Sequence, residues 1–153
     1  MSYEKSIHDS LAKYYHVDYI NTDEVLKKVR EKYRKNSKII RGALKSLNIL
    51  RDIYIEKEMI HYENATCMHN IMENNTYDII FAINGDGVSN NLYSYIFSRN
   101  ISAVKILYLW DDKSNLFKSN HICFFNYVYS YNILDCKKYG YTEIRSKELW
   151  THQ

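Results

Sequence analysis

Two stretches decide how this chain is read: Tyr77-Asp-Ile-Ile-Phe-Ala-Ile83 running into Asn84-Gly85-Asp86-Gly87, and Val104-Lys-Ile-Leu-Tyr-Leu-Trp110 running into Asp111-Asp112. Each is a short apolar run, rich in residues that suit a pleated surface, closed by a polar turn that carries acids. Between them, Ser89 to Arg99 places Leu92 and Tyr95/Ile96 at helical spacing. Strand, loop, helix, strand is the pattern of a parallel sheet, whose strands need long crossovers. In such sheets ligands bind just beyond the carboxyl ends of the strands, and both turns fall there.

Working outward, Glu4 to Tyr15 reads as an amphipathic helix through Ile7, Leu11 and Tyr14/Tyr15. His16 to Ile20 reads as a short strand, after which Asn21 caps a helix with Glu24 in capping-box register. From Thr22 to about Asn75 the pattern is helical, with breaks near Asn36-Ser37 and Asn64. Downstream, Phe125 to Ser130 alternates like a strand, and Leu134 to Tyr139 is a short helix stopped by Gly140. Residues 141–153 show no clear pattern. The expectation is a single α/β domain over residues 1–153, a parallel sheet of about four or five strands flanked by helices. A doubly wound sheet normally opens on a strand, whereas this chain opens on a helix. An initial strand is therefore expected to be missing, which would leave an exposed sheet edge.

Composition narrows the function classes. A net charge of +3 is too small to imply nucleic acid by itself. The three cysteines, Cys67, Cys123 and Cys136, have no CxxC spacing and read as reduced thiols of a cytoplasmic protein. Met1-Ser-Tyr-Glu-Lys5 is polar and unlike a signal peptide, and no apolar run has the length of a membrane span. Proline is absent and tyrosine occurs 16 times. Codon bias accounts for this, and the sharper alternative is an aromatic platform for sugars or bases. The six histidines are scattered, so no metal set and no nucleophile pair is expected.

Three features carry candidate chemistry. In Asn84-Gly85-Asp86-Gly87 the glycines allow positive φ and close approach to the main chain, and the following helix start suits an anion. The competing reading is a tight turn in which Asp86 caps the helix. In Trp110-Asp111-Asp112 the indole offers a stacking face, while the acids can hold hydroxyls or act as a general base. The competing reading is a solvated turn. Third, Lys27, Lys28, Arg30, Arg34, Lys35 and Arg41 belong to a basic stretch that contains one acid, Glu31. It can meet an anionic membrane surface or a phosphorylated acceptor, or be a solvated helix face.

The order of Tyr-Asp-Ile-Ile-Phe-Ala-Ile-Asn-Gly-Asp-Gly, Ile-Leu-Tyr-Leu-Trp-Asp-Asp, Val-Tyr-Ser-Tyr and Asp135-Cys-Lys-Lys-Tyr-Gly140 resembles the N-terminal half of bacterial polysaccharide and lipopolysaccharide biosynthesis proteins related to the CgeB-like glycosyltransferases. The resemblance spans roughly residues 3 to 141. It implies a Rossmann-like domain of GT-B type, lacking its first strand, with the active site in a cleft against a second domain. It departs where the family tends to read Phe-Asp-Pro and this chain has Tyr131-Asn132-Ile133, and again beyond Gly140. By this resemblance Asp86 or Asp111 would be catalytic, orienting or deprotonating an acceptor hydroxyl. Asn84, Gly85, Gly87, Trp110 and Asp112 would line the acceptor wall. No cofactor is implied for this half, because the nucleotide-sugar donor is held mostly by the second, donor-binding domain. The implied partners are a glycan or lipid-linked acceptor, a separate donor-binding domain and the inner membrane face. Alone, such a domain should be inactive, since transfer needs both substrates in one geometry. The alternatives are a non-catalytic interaction module and, less favoured, an RNA-binding domain built on the basic helix.

Overall fold

The computed structural model describes residues 3–35, 42, 48–65, 75–116 and 120–144. Within them the elements run α1 (Tyr3–Leu11), α2 (Asp23–Lys35), α3 (Asn48–Ala65), β1 (Ile79–Ile83), α4 (Asn90–Arg99), β2 (Val104–Leu109), β3 (Tyr127–Ser130), α5 (Ile133–Tyr139) and β4 (Thr142–Glu143). Short 3-10 turns at Lys113–Asn115 and Asn120–Phe124 link β2 to β3. The fold is α/β, a four-stranded parallel sheet flanked by helices, consistent with a Rossmann-like fold.

The strands lie in the order β1-β2-β3-β4, each new strand adding to the same side. Right-handed crossovers in that order return over one face of the sheet. The core agrees with this. Leu107 and Leu109 of β2 are fully buried and pack with Leu92, Tyr93 and Ile96 of α4, Val25 and Val29 of α2, and Ile55 and Met59 of α3. Helix α2 contributes its valines at a spacing of four, so one narrow apolar stripe seats it beside α3. Full burial of each such side chain contributes about 1.5–3 kcal/mol.

Helix ends follow local chemistry. The Ser89 hydroxyl accepts from the Leu92 N–H at 3.0 Å and opens α4. Asn132 does the same for α5, accepting from the Leu134 N–H at 2.8 Å, and Gly140 closes that helix with φ +74°. Asn21 accepts from the Asp23 N–H at 2.8 Å at the start of α2, while Glu24 turns outward to Lys28, 2.6 Å away.

Three expectations are corrected. Residues 16–20 form no strand. The Asp18 carboxylate instead accepts from the Tyr77 hydroxyl at 2.7 Å and the Asn75 amide at 3.0 Å, so side chains tie this segment down in place of a ladder. Helix α1 ends at Leu11 rather than Tyr15, leaving Tyr14 and Tyr15 exposed. Thr142–Glu143, in the stretch without pattern, pairs with β3 as β4. The break near Asn36-Ser37 lies outside the described residues. Among the described residues β1 pairs only with β2, so it forms one sheet edge.

Candidate functional site

The carboxyl ends of β1, β2 and β3 divide into a sealed half and an open half. The sealed half is the turn after β1. Asn84 and Gly85 both take positive φ, +54° and +70°. A methyl group at position 85 would meet the Tyr93 hydroxyl oxygen at 2.5 Å, so glycine is required by backbone and neighbour alike. That hydroxyl donates to the Gly85 carbonyl at 2.9 Å. Burial and the nearby Asp86 and Glu63 carboxylates push the Tyr93 phenol well above its usual range, so it stays a donor. His121 is fully buried, its ring stacked on Tyr93 at 5.9 Å. Its Nε2 lies 2.7 Å from the Asn84 carbonyl, so that nitrogen carries the proton.

The rest of the turn faces the N-terminal helices. A methyl group at Gly87 would lie 2.6 Å from Thr22 Oγ1, because the start of α2 packs directly on this glycine. Asp86 is 6% exposed, and the Arg30 guanidinium lies 3.5 Å from it. The start of α4 already holds anions from the chain itself. The buried Glu63 carboxylate accepts from the Ser89 N–H at 2.6 Å and from the Ser89 hydroxyl, and Glu56 accepts from the Asn91 N–H at 3.0 Å. With Leu92 N–H taken by Ser89, three of the N–H groups that a phosphate would use at such a terminus are engaged.

The open half comprises Trp110-Asp111-Asp112 and Tyr131-Asn132. Leu109 pairs with Ser130 at the end of the ladder, so Trp110 and Tyr131 are the next residues of adjacent strands. They are 44% and 47% exposed. Asn84 ties the two halves together: its amide donates to Asp111 at 2.8 Å, and its side-chain oxygen accepts from the N–H groups of Trp110 and Asp111 at 2.8 and 3.1 Å. Asp112 accepts from the Tyr131 hydroxyl at 3.1 Å and the Asn132 amide at 2.5 Å. The Asp112 carboxylate holds the Tyr131 phenol above its usual pKa. Next to this network the Lys113 N–H donates to Asp135 at 2.8 Å, and the Lys113 ammonium sits 3.6 Å from the Tyr139 ring centroid.

The structure thus brings Asn84, Trp110, Asp111 and Asp112 onto one solvent-facing ledge, packs Gly85 against Tyr93 and His121, and places Asp86 and Gly87 against α2 and its first turn. Tyr131 and Asn132 complete the ledge. In the sequence Tyr131 closes the Val-Tyr-Ser-Tyr stretch and opens the departure at Tyr131-Asn132-Ile133, and the step of both residues beyond a strand end is the signal that marks them as site residues.

The basic stretch is distributed around α2. Lys28 pairs with Glu24, Arg30 with Asp86, and Lys32 with Glu58 at 2.7 Å. Lys27, Arg34 and Lys35 are exposed, while Arg41 lies outside the described residues. A shallow cavity of about 240 Å³ is lined by Lys28, Glu31, Lys32, Lys35 and Tyr62. Among the described residues no group of three or more His, Cys, Asp or Glu is arranged to hold a metal ion, and no helix is long and apolar enough to cross a membrane. No protein-family model, curated protein or solved structure matches the chain.

Proposed function

We propose that this chain is the acceptor-side domain of a glycosyltransferase of cell-surface polysaccharide assembly, and that it holds a glycan or lipid-linked acceptor on the ledge formed by Trp110, Asp111, Asp112, Tyr131 and Asn132. The observation that carries this reading is the pair of half-exposed rings, Trp110 and Tyr131, set beside a hydrogen-bonded network of two acids and two amides at the strand ends. Sugars present an apolar C–H face and a rim of hydroxyls. A ring beside fixed carboxylates and amides meets both at once. Asp111, exposed and held by Asn84, is the group suited to accept an acceptor hydroxyl's proton, whereas Asp86 acts through Arg30 to hold α2 over the turn.

The engaged N–H groups at the start of α4 favour a donor held elsewhere, on a separate donor-binding domain, so transfer by this domain alone is not expected. The exposed cations Lys27, Arg34 and Lys35 favour peripheral contact with an anionic membrane on the cytoplasmic side, where lipid-linked acceptors reside.

Intrinsic fluorescence with a panel of neutral and acidic oligosaccharides tests the reading, using a Trp150→Phe background so that Trp110 is the sole indole. A saturable change for at least one glycan, lost in Tyr131→Ala and Asp112→Ala, supports it. No change for any glycan up to about 10 mM, below which even weak sugar complexes register, contradicts it.

A further inference from the structure

The sealed turn and the open ledge share one residue, and its backbone is held in an unusual conformation. Among the described residues Asn84 is the only non-glycine with a positive φ, +54°. That region is uncommon for a residue with a Cβ, and a side chain stays there only where its surroundings fix it. The Asn84 N–H donates to the Tyr108 carbonyl at 2.8 Å, just past the β1–β2 ladder. Its own carbonyl accepts from His121 Nε2 at 2.7 Å, and the Tyr93 hydroxyl holds the next carbonyl, that of Gly85, at 2.9 Å.

His121 reaches Asn84 from 37 residues away, on the 3-10 turn Asn120–Phe124. It is fully buried, stacked on Tyr93 and edge-on to Phe125, where a phenylalanine would fill the space with no N–H to bury. A methyl group at Gly85 would lie 3.1 Å from His121 Cδ2 and 3.2 Å from Nε2, so glycine admits the imidazole to the Asn84 carbonyl. What histidine adds to this aromatic cluster is one directed donor, aimed at one carbonyl. The backbone so held carries the Asn84 side chain across to the end of β2. There its oxygen accepts from the N–H groups of Trp110 and Asp111 at 2.8 and 3.1 Å, and its amide nitrogen donates to Asp111 Oδ2 at 2.8 Å. An aspartate at 84 would lose the donor and face Asp111 as a like charge. The three bonds fix two consecutive peptides and one carboxylate, the parts of the ledge that carry the Trp110 ring and the Asp111 acid.

We propose that His121 is a positioning residue of the ledge: its Nε2–H holds the left-handed Asn84, and through the Asn84 side chain it sets the Trp110–Asp111 backbone and the Asp111 carboxylate in the geometry that receives a ligand. The ledge's role as a ligand site is that of the proposed function, on which this assignment rests, whereas the coupling is read on the free protein. The buried cluster beneath the turn thereby governs the exposed residues beside it, although His121 itself touches no ligand.

The test is amide hydrogen exchange, followed by NMR on the full chain, at Trp110, Asp111 and a reference, Val104. The Val104 N–H is held by the Asp78 carbonyl at 2.9 Å, at the far end of the same strand pair. His121→Phe keeps a stacking ring and removes the donor. It is expected to speed exchange at Trp110 and Asp111 at least about tenfold more than at Val104. Asn84→Gly keeps a left-handed backbone without the side chain and is expected to expose the same two amides. Adding His121→Phe to it should then change them no further relative to Val104. Equal loss at all three amides, no loss at Trp110 and Asp111, or the same further loss in the Asn84→Gly background would each overturn the proposal. Where His121→Phe does not fold, Asp111→Ala, at an exposed position, reads the coupling from its other end. Coupling is reciprocal, so this variant should speed solvent exchange of the His121 Nε2 proton, and an unchanged rate would overturn the proposal. A glycan that changes Trp110 fluorescence should bind at least about fivefold more weakly to His121→Phe, and unchanged affinity would count against it equally. If no glycan binds, the proposed function fails, while the amides still decide the role of His121.

Discussion

Glu63 and Ser89, 26 residues apart in the chain, meet in the core, where the carboxylate accepts both the backbone N–H and the hydroxyl of the residue that caps α4. The chain thereby places its own anion where a phosphate would sit. A glycine-containing turn before a helix is here a structural clasp that fixes α3 and α4 together.

Removing that carboxylate leaves buried donors without an acceptor. Glu63→Ala is expected to destabilise the fold by about 2–4 kcal/mol, and Glu63→Gln, which retains one acceptor oxygen, by roughly half as much. Glu56→Ala, acting at the solvent-facing side of the same terminus, should cost about 1 kcal/mol or less. Urea unfolding measures all three, and equal losses at Glu56 and Glu63 would contradict the clasp.

Gly85 and Gly140 share a positive φ but differ in surroundings. Nothing lies within 4 Å of a methyl group built on Gly140, whereas one on Gly85 meets the Tyr93 hydroxyl. Gly140→Ala should therefore cost about 1 kcal/mol, the backbone contribution alone. Gly85→Ala should cost at least twice that, about 2–4 kcal/mol. Tyr93→Phe removes the obstructing oxygen, so Gly85→Ala should cost less in that background, a coupling that a double-mutant cycle reads directly.

The Asp18–Tyr77 bond gives a pH signature. Hydrogen bonding, first from Tyr77, lowers the pKa of the Asp18 carboxyl below its ordinary value. A carboxyl depressed in the folded state contributes stability above its unfolded pKa and loses it as pH falls through the folded value. Wild type should accordingly be more stable than Asp18→Asn near neutrality, with the difference closing below the usual carboxylate range. Thermal melts across that interval check this, and a gap independent of pH would contradict it.

On the ledge, the Asp112 carboxylate raises the pKa of the Tyr131 phenol. Asp112→Asn should lower that pKa toward the ordinary tyrosine value, while Asp18→Asn leaves it unmoved. NMR titration with ring-labelled tyrosine resolves Tyr131 among the other phenols, using Tyr131→Phe for assignment.

The sheet was legible because its strands obey local rules: β1 and β2 are runs of apolar residues closed by turns, and α4 carries both a serine cap and helical spacing. What escaped reading depends on distant contacts. His16 to Ile20 has strand composition, but Asp18 is held by Tyr77 and Asn75 from beyond α3, which no local pattern encodes. β4 has only two residues, too few to alternate. The covering of Gly87 by Thr22 and of Asp86 by Arg30 likewise follows from helix packing. One long-range feature left a trace: Glu56 and Glu63 lie seven apart on one face of α3, and both reach the start of α4.

The central claim is that the strand ends are functionally divided, with the turn after β1 sealed and the ledge after β2 and β3 open to a sugar. The most direct measurement is a backbone and indole N–H NMR titration with a glycan that perturbs Trp110 fluorescence. The account predicts that shifts concentrate on the Trp110 indole and the amides of Asp111, Asp112, Tyr131 and Asn132, while Gly85, Asp86 and Gly87 stay still. Shifts centred on 85–87, with the Trp110 indole unmoved, would contradict it.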